Sequence, residues 1–142
     1  MKALQDWFTT HISKPLLAIG ILIEFHGVGV DNKKKKPGPV FLAMAKYAYE
    51  LDVDYLYRVN DDTEFMTLWT STFVYTLVTK SRSLLGDLAD EKSLILGVVG
   101  PLSAGTDNRI LTHDFVHRTH MEIFHLNYYP PEFTGEVALV SL

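Results

Sequence analysis

The chain has 142 residues, 47% hydrophobic and 21% charged, the make-up of one globular domain rather than of a disordered segment. It contains no Cys, which excludes disulfide scaffolds, thiolate zinc sites and cysteine nucleophiles. Thirteen Lys and Arg against 17 Asp and Glu give a net charge of −4, not the basic surplus of a nucleic-acid binder.

The first predicted element is a strand over Leu16–Phe25. Its apolar centre, Leu16–Ile23, is eight residues long, against the ~20 that a transmembrane helix needs. Asp6 lies upstream, and Glu24-Phe25-His26 offers no small-x-small cleavage site, so no secretory signal is expected either. A strand buried on both faces fits a continuous apolar run. Asp31–Pro39 is polar and Pro/Gly-rich and reads as a loop carrying Lys33, Lys34, Lys35 and Lys36. A helix is expected from about Pro39, with Val40, Met44, Tyr47 and Leu51 at helical spacing and Asp52 at its end.

Asp54–Val59 alternates as a second strand and runs into Asn60-Asp61-Asp62-Thr63-Glu64. A further helix carries Met66, Trp69, Phe73 and Leu77 on one stripe. Ser81–Lys92 is a polar connection, Leu94–Val99 a third strand and Ser103–Asn108 a loop. His113–Phe124 reads as helical, Asn127–Phe133 as an aromatic, Pro-rich loop, and Glu136–Leu142 as a short last strand. The alternation predicts an α/β domain with a mostly parallel, Rossmann-like sheet and flanking helices. Ligands bind outside the carboxyl ends of such strands, so the lysine loop and the acidic cluster are expected on one rim.

Adjacent carboxylates at a strand end suit a hard divalent cation, Mg²⁺ or Mn²⁺, that shares its coordination with phosphate oxygens. The alternative is a helix cap, since Asp and Thr satisfy free backbone N–H groups. His113, His117 and His120 fall on one face if their segment is helical. His113-Asp114-Phe115-Val116-His117 then imitates the H-E-x-x-H zinc motif with Asp in place of Glu. The other readings are a polar face beside a sugar site and plain structural histidines.

Tyr55-Leu56-Tyr57-Arg58-Val59-Asn60-Asp61-Asp62-Thr63-Glu64-Phe65 resembles the metal-binding segment of a family of predicted glycosyltransferases of the nucleotide-diphospho-sugar transferase fold, GT-A. Four further segments resemble that family in the same order: Lys36-Pro37-Gly38-Pro39-Val40-Phe41, Gly97-Val98-Val99-Gly100-Pro101, Ile110 to His120 on the acceptor side, and Tyr128-Tyr129-Pro130-Pro131-Glu132-Phe133.

The resemblance implies transfer of a sugar from a nucleotide-diphosphate donor to an acceptor hydroxyl. It implies Asp61 and Asp62 as ligands of Mn²⁺ or Mg²⁺, with Asp61 alternatively on the ribose. Lys36, Asn60 and Asp61 would bind the nucleotide sugar, and His113, Asp114, His117 and Arg118 would face the acceptor. The family's opening strand and loop, which hold the base, have little counterpart before Leu16. After Phe133 the chain departs from the family's Trp-rich segment with paired acids, where a catalytic base would be sought. The expectation is therefore a partial GT-A-like domain, incomplete at both ends, with Asp114 and Glu132 as the available carboxylates. The rival expectation is a non-catalytic remnant that binds nucleotide or a partner.

Overall fold

The computed structural model describes residues 2–33, 35–60, 63–86, 94–102 and 113–129. They belong to two compact units, Met1–Asp31 and Asn32–Leu142.

In the first unit, helix α1 (Lys2–Phe8) continues through a π-helical turn (Thr9–Ser13) into α2 (Lys14–Leu17). The wide turn ends two residues before Pro15, whose ring lacks an N–H and crowds the carbonyl four residues back; extra width takes up that mismatch. Gly20, at φ +82°, closes the helix. The Ile21 N–H donates to Leu16 O (2.9 Å) and the Gly20 N–H to Leu17 O (3.0 Å), the paired bonds of a Schellman cap. Residues 21–30 have no regular structure. The chain returns along the helix, with Ser13 Oγ donating to Ile23 O at 2.9 Å and the Phe8 and Phe25 rings 5.3 Å apart.

The predicted strand Leu16–Phe25 is thus corrected. A continuous apolar run does not by itself separate strand from helix. Here Gly20 is a helix terminator, not a strand interior.

The second unit contains α3 (Pro37–Glu50), β1 (Tyr55–Arg58), α4 (Thr70–Leu85), β2 (Asp114–His117) and α5 (Thr119–Ile123). Helix α3 begins two residues before Pro39 because both prolines fit a first turn, where an N–H has no helical partner. It ends before Asp52, which adopts φ +61°. Strand β1 pairs antiparallel with β2, Leu56 opposite Val116 and Arg58 opposite Asp114.

The expected parallel, Rossmann-like sheet is contradicted: among the described residues the sheet has two strands, and they run antiparallel. Two causes are local. The segment of the predicted strand Leu94–Val99 takes its backbone partners from side chains. Ser81 Oγ accepts the Leu96 N–H at 2.8 Å, and Thr119 Oγ1 donates to Ile95 O. Gly97, at φ +120°, interrupts any ladder, which leaves, among the described residues, a single antiparallel bridge between Val99 and Phe115. The second cause lies in the predicted helix His113–Phe124, whose first half is β2. Phe115 (3% exposed) and Val116 (0%) are buried on opposite faces, as a strand covered on both sides requires.

Helix α3 and α5 cover one face, around Ala45, Leu56, Val116, Met121 and Tyr128. Helix α4 covers the other, through Phe73 and Leu77 against Phe115. It extends five residues into the expected polar connection because Ser81 is buried as the anchor of Leu96. The expected loop Ser103–Asn108 and strand Glu136–Leu142 lie outside the described residues. Among the described residues no helix is long and apolar enough to cross a membrane.

Candidate functional site

The arrangement of α3, β1 and β2 decides which predicted site residues meet. Helix α3 runs back against β1, so its early turns reach the carboxyl end of the strand. There the Phe41 ring lies 5.0 Å from Arg58 Cζ. Lys36, the N-cap of α3, lies beyond Phe41 toward the same end. The Asn32 side chain holds its backbone at both groups: Oδ1 accepts the Lys36 N–H (3.0 Å) and Nδ2 donates to Lys36 O (2.7 Å).

Because Arg58 pairs with Asp114, the residues that follow β1 and the residue that precedes β2 share this end of the sheet. Thr63 N–H donates to Asn60 O at 3.3 Å. Thr63 Oγ1 and His113 Nε2 share a hydrogen bond of 3.1 Å. Asn60, Thr63 and His113 thus form one rim, and Lys36 stands at the start of the helix whose Phe41 packs on Arg58 at the same strand end. Asp61 and Asp62, between Asn60 and Thr63 in sequence, lie outside the described residues, as does Glu132.

Beneath the rim is a buried polar network. Arg58 Nε donates to Asp114 Oδ1, and Tyr128 Oη donates to Asp114 Oδ2. The Arg58 and Asp114 side chains are only 14% and 8% exposed. The guanidinium also lies 5.9 Å from the Tyr129 ring centroid, so it is flanked by two aromatic faces. Burial, and then the neighbouring carboxylate, push the Tyr128 phenol far above its ordinary range, which keeps it a neutral donor. Both carboxylate oxygens of Asp114 are therefore engaged, one by a cation and one by a phenol.

His117 and Arg118 lie at the other end of the sheet, roughly 13 Å along the strand from His113. His117 is opposite Tyr55, and its Nδ1 accepts the Thr119 N–H at 3.3 Å. Burial, reinforced by Arg118, lowers its pKa from the usual 6.5 against the opposing pull of Asp54 and Glu122. Arg118 pairs with Asp52, approaches Glu122 Oε1 at 3.7 Å, and lies 4.7 Å from the Tyr49 ring centroid. The expected acceptor-side group is thus split: His113 and Asp114 belong to the rim end, His117 and Arg118 do not.

The zinc-motif geometry is also overturned, since Asp114–His117 is a strand and not a helix. His120 turns elsewhere again, with Nε2 2.7 Å from Tyr128 O. Among the described residues no group of three or more His, Asp or Glu could hold a metal ion.

Arg58, Thr63 and Tyr128 went unnoticed in the sequence as site residues. The one available signal is Arg58: a cation on the same face of a strand as buried Leu56 needs a buried anion opposite.

Comparison with known protein families, with curated proteins and with solved structures finds no match.

Proposed function

We propose that the chain is a glycosyltransferase-like domain that binds a nucleotide-diphosphate sugar through a divalent cation and transfers the sugar to an acceptor hydroxyl. The observation that carries this reading is the meeting of Asn60, Thr63 and His113 at the carboxyl end of β1. Segments distant in sequence, one resembling the family's metal-binding segment and one its acceptor side, converge there.

The donor set fits Mn²⁺ or Mg²⁺: two carboxylates, Asp61 and Asp62, flanked by the oxygens of Asn60 and Thr63, all hard ligands. Such a cation supplies charge neutralisation for the departing diphosphate. The Lys36 ammonium would add a second positive charge, on a backbone fixed by Asn32. His113 would steady the acidic segment through Thr63.

The second reading, a nucleotide-binding remnant without transfer, is favoured by Asp114. This acceptor-side carboxylate is paired with Arg58 and Tyr128, whereas a general base must be free to reach its proton.

Calorimetric titration of the whole chain with a panel of nucleotide-diphosphate sugars, with and without Mn²⁺, tests both. Binding that requires Mn²⁺ and disappears in Asp62→Ala, with unchanged unfolding, is expected. Retention of binding in Asp62→Ala would refute the assignment. Glycoside formation with an acceptor sugar then separates the transferase from the remnant.

A further inference from the structure

The outer edge of β1 faces a cavity that neither the rim nor the buried network uses. Its volume is about 230 Å³, and its walls include Phe41, Met44 and Ala48 of α3, Tyr57 and Arg58 of β1, and Tyr128. All four residues of β1 touch it, although their side chains alternate between the two faces of the sheet. A cavity that meets both sets must lie under the strand and reach around its backbone edge. Met44, 50% exposed, stands at the side open to solvent.

The hydrogen-bond pattern shows what that edge offers. Phe115 exchanges both of its backbone bonds with Val99, at 2.7 and 3.0 Å, and so turns its backbone away from β1. Its partner Tyr57 must then turn its own N–H and C=O outward, because hydrogen-bonded and non-hydrogen-bonded pairs alternate along an antiparallel ladder. Among the described residues neither Tyr55 nor Tyr57 makes a backbone hydrogen bond on that edge. In an extended residue the N–H and C=O point the same way and sit side by side. They present a donor next to an acceptor, over an apolar, ring-walled cavity.

We infer that this cavity seats the nucleobase of the donor, with the backbone N–H and C=O of Tyr57 pairing with an adjacent acceptor and donor on the ring. A flat heterocycle carrying such a pair of groups is the small-molecule class that satisfies this edge while filling an apolar slot. The placement agrees with the rim: Tyr57 precedes Asn60 by three residues, roughly 10 Å of extended chain. A ribose can bridge that interval between base and diphosphate. The Arg58 and Phe41 end of the cavity is also the end nearest the rim. The identification as a nucleotide base rests on the donor reading above; the ligand-binding cavity itself does not.

The test uses free nucleosides, uridine and adenosine, which lack phosphate and so bypass the cation. The whole chain is titrated in EDTA and followed by calorimetry. Wild type is expected to bind at least one of them. Ala48→Leu, which fills the cavity, and Met44→Trp, which closes its mouth from an exposed position, should each weaken binding about tenfold or more. Their unfolding midpoints are measured alongside, and Met44→Trp decides if Ala48→Leu does not fold. No nucleoside binding by wild type, or unchanged affinity in a folded Met44→Trp, overturns the inference. Mn²⁺-dependent nucleotide-sugar binding that is indifferent to Met44→Trp also overturns it, yet leaves the donor reading standing. Nucleoside binding that Met44→Trp abolishes, without any Mn²⁺-dependent nucleotide binding, upholds the cavity and removes the donor reading.

Discussion

Thr63 and His113 stand 50 positions apart in sequence and share a hydrogen bond of 3.1 Å. The bond ties the residue that follows the acidic pair to the residue that precedes β2. It is the direct side-chain link between the two segments on which the donor-site reading depends.

If that link steadies the acidic segment, Thr63→Val and His113→Ala should each weaken Mn²⁺-dependent nucleotide binding about fivefold, the equivalent of one neutral hydrogen bond of ~1 kcal/mol. The double variant should be no weaker than the poorer single one, because both remove the same contact. His113→Gln, which keeps a polar group near the Nε2 position, should recover part of the loss. Additive effects in the double variant would show that the two residues act separately.

The Arg58–Asp114 pair leads to a stability prediction. Both side chains are nearly buried, and Asp114 also accepts from Tyr128. Removing one charge strands the other in an apolar setting, a loss of about 3–5 kcal/mol. Arg58→Met and Asp114→Leu should each approach that cost in urea unfolding. Together they should cost less than their sum, since no buried charge remains. A double variant as unstable as the sum would mean that the two residues stabilise the fold independently of each other.

Ser81 gives a narrower test. Its side chain is buried (1% exposed) and accepts the Leu96 N–H at 2.8 Å. Ser81→Ala leaves that N–H without its acceptor and should destabilise by about 1–3 kcal/mol. Ser83→Ala, on an exposed position of the same helix, serves as the control and should change stability by less than ~0.5 kcal/mol. Equal effects at the two positions would remove Ser81 as the anchor of the 94–99 segment.

These residues also show what was legible in advance. The helical spacing around Met44 and Tyr47, the alternation Tyr55-Leu56-Tyr57-Arg58 and the stripe through Phe73 and Leu77 located α3, β1 and α4. Each pattern has a period that only one kind of element can satisfy. Leu16–Ile23 had no period, and there the decisive fact was backbone conformation at Gly20. Leu94–Val99 looked like a strand because it is apolar, but its backbone is held by Ser81 and Thr119, partners that local patterning does not announce. The histidines misled for a different reason. His113, His117 and His120 match helical spacing, yet Phe115 and Val116 need burial on opposite faces, and that need set the conformation. The rim was legible only as a shared strand end; the antiparallel pairing that put His113 there and sent His117 away was not.

His117 supports a prediction in which the sign of the pH effect is fixed. Burial lowers its pKa below 6.5, with Arg118 acting the same way and Asp54 and Glu122 acting against it. Its Nδ1 lies 3.1 Å from Thr119 Oγ1 and 3.3 Å from the Thr119 N, within a partly buried pocket. The ring lies edge-on to Tyr55, with centroids 5.2 Å apart. Unfolded, His117 takes up its proton near 6.5; folded, it does so only at lower pH. Between those two values the unfolded chain holds more protons, so stability rises with pH across that window. The contribution is complete above the unfolded value and is lost as pH falls through the folded one. Urea midpoints measured from about pH 7.5 down to about pH 5 should therefore fall more steeply for wild type than for His117→Gln, which has no imidazole to charge. Carboxylates elsewhere titrate in both proteins and cancel in the comparison. Parallel pH profiles would show that the imidazole charges as readily in the fold as outside it, and that its burial beside Tyr55 and Thr119 costs the charged form nothing.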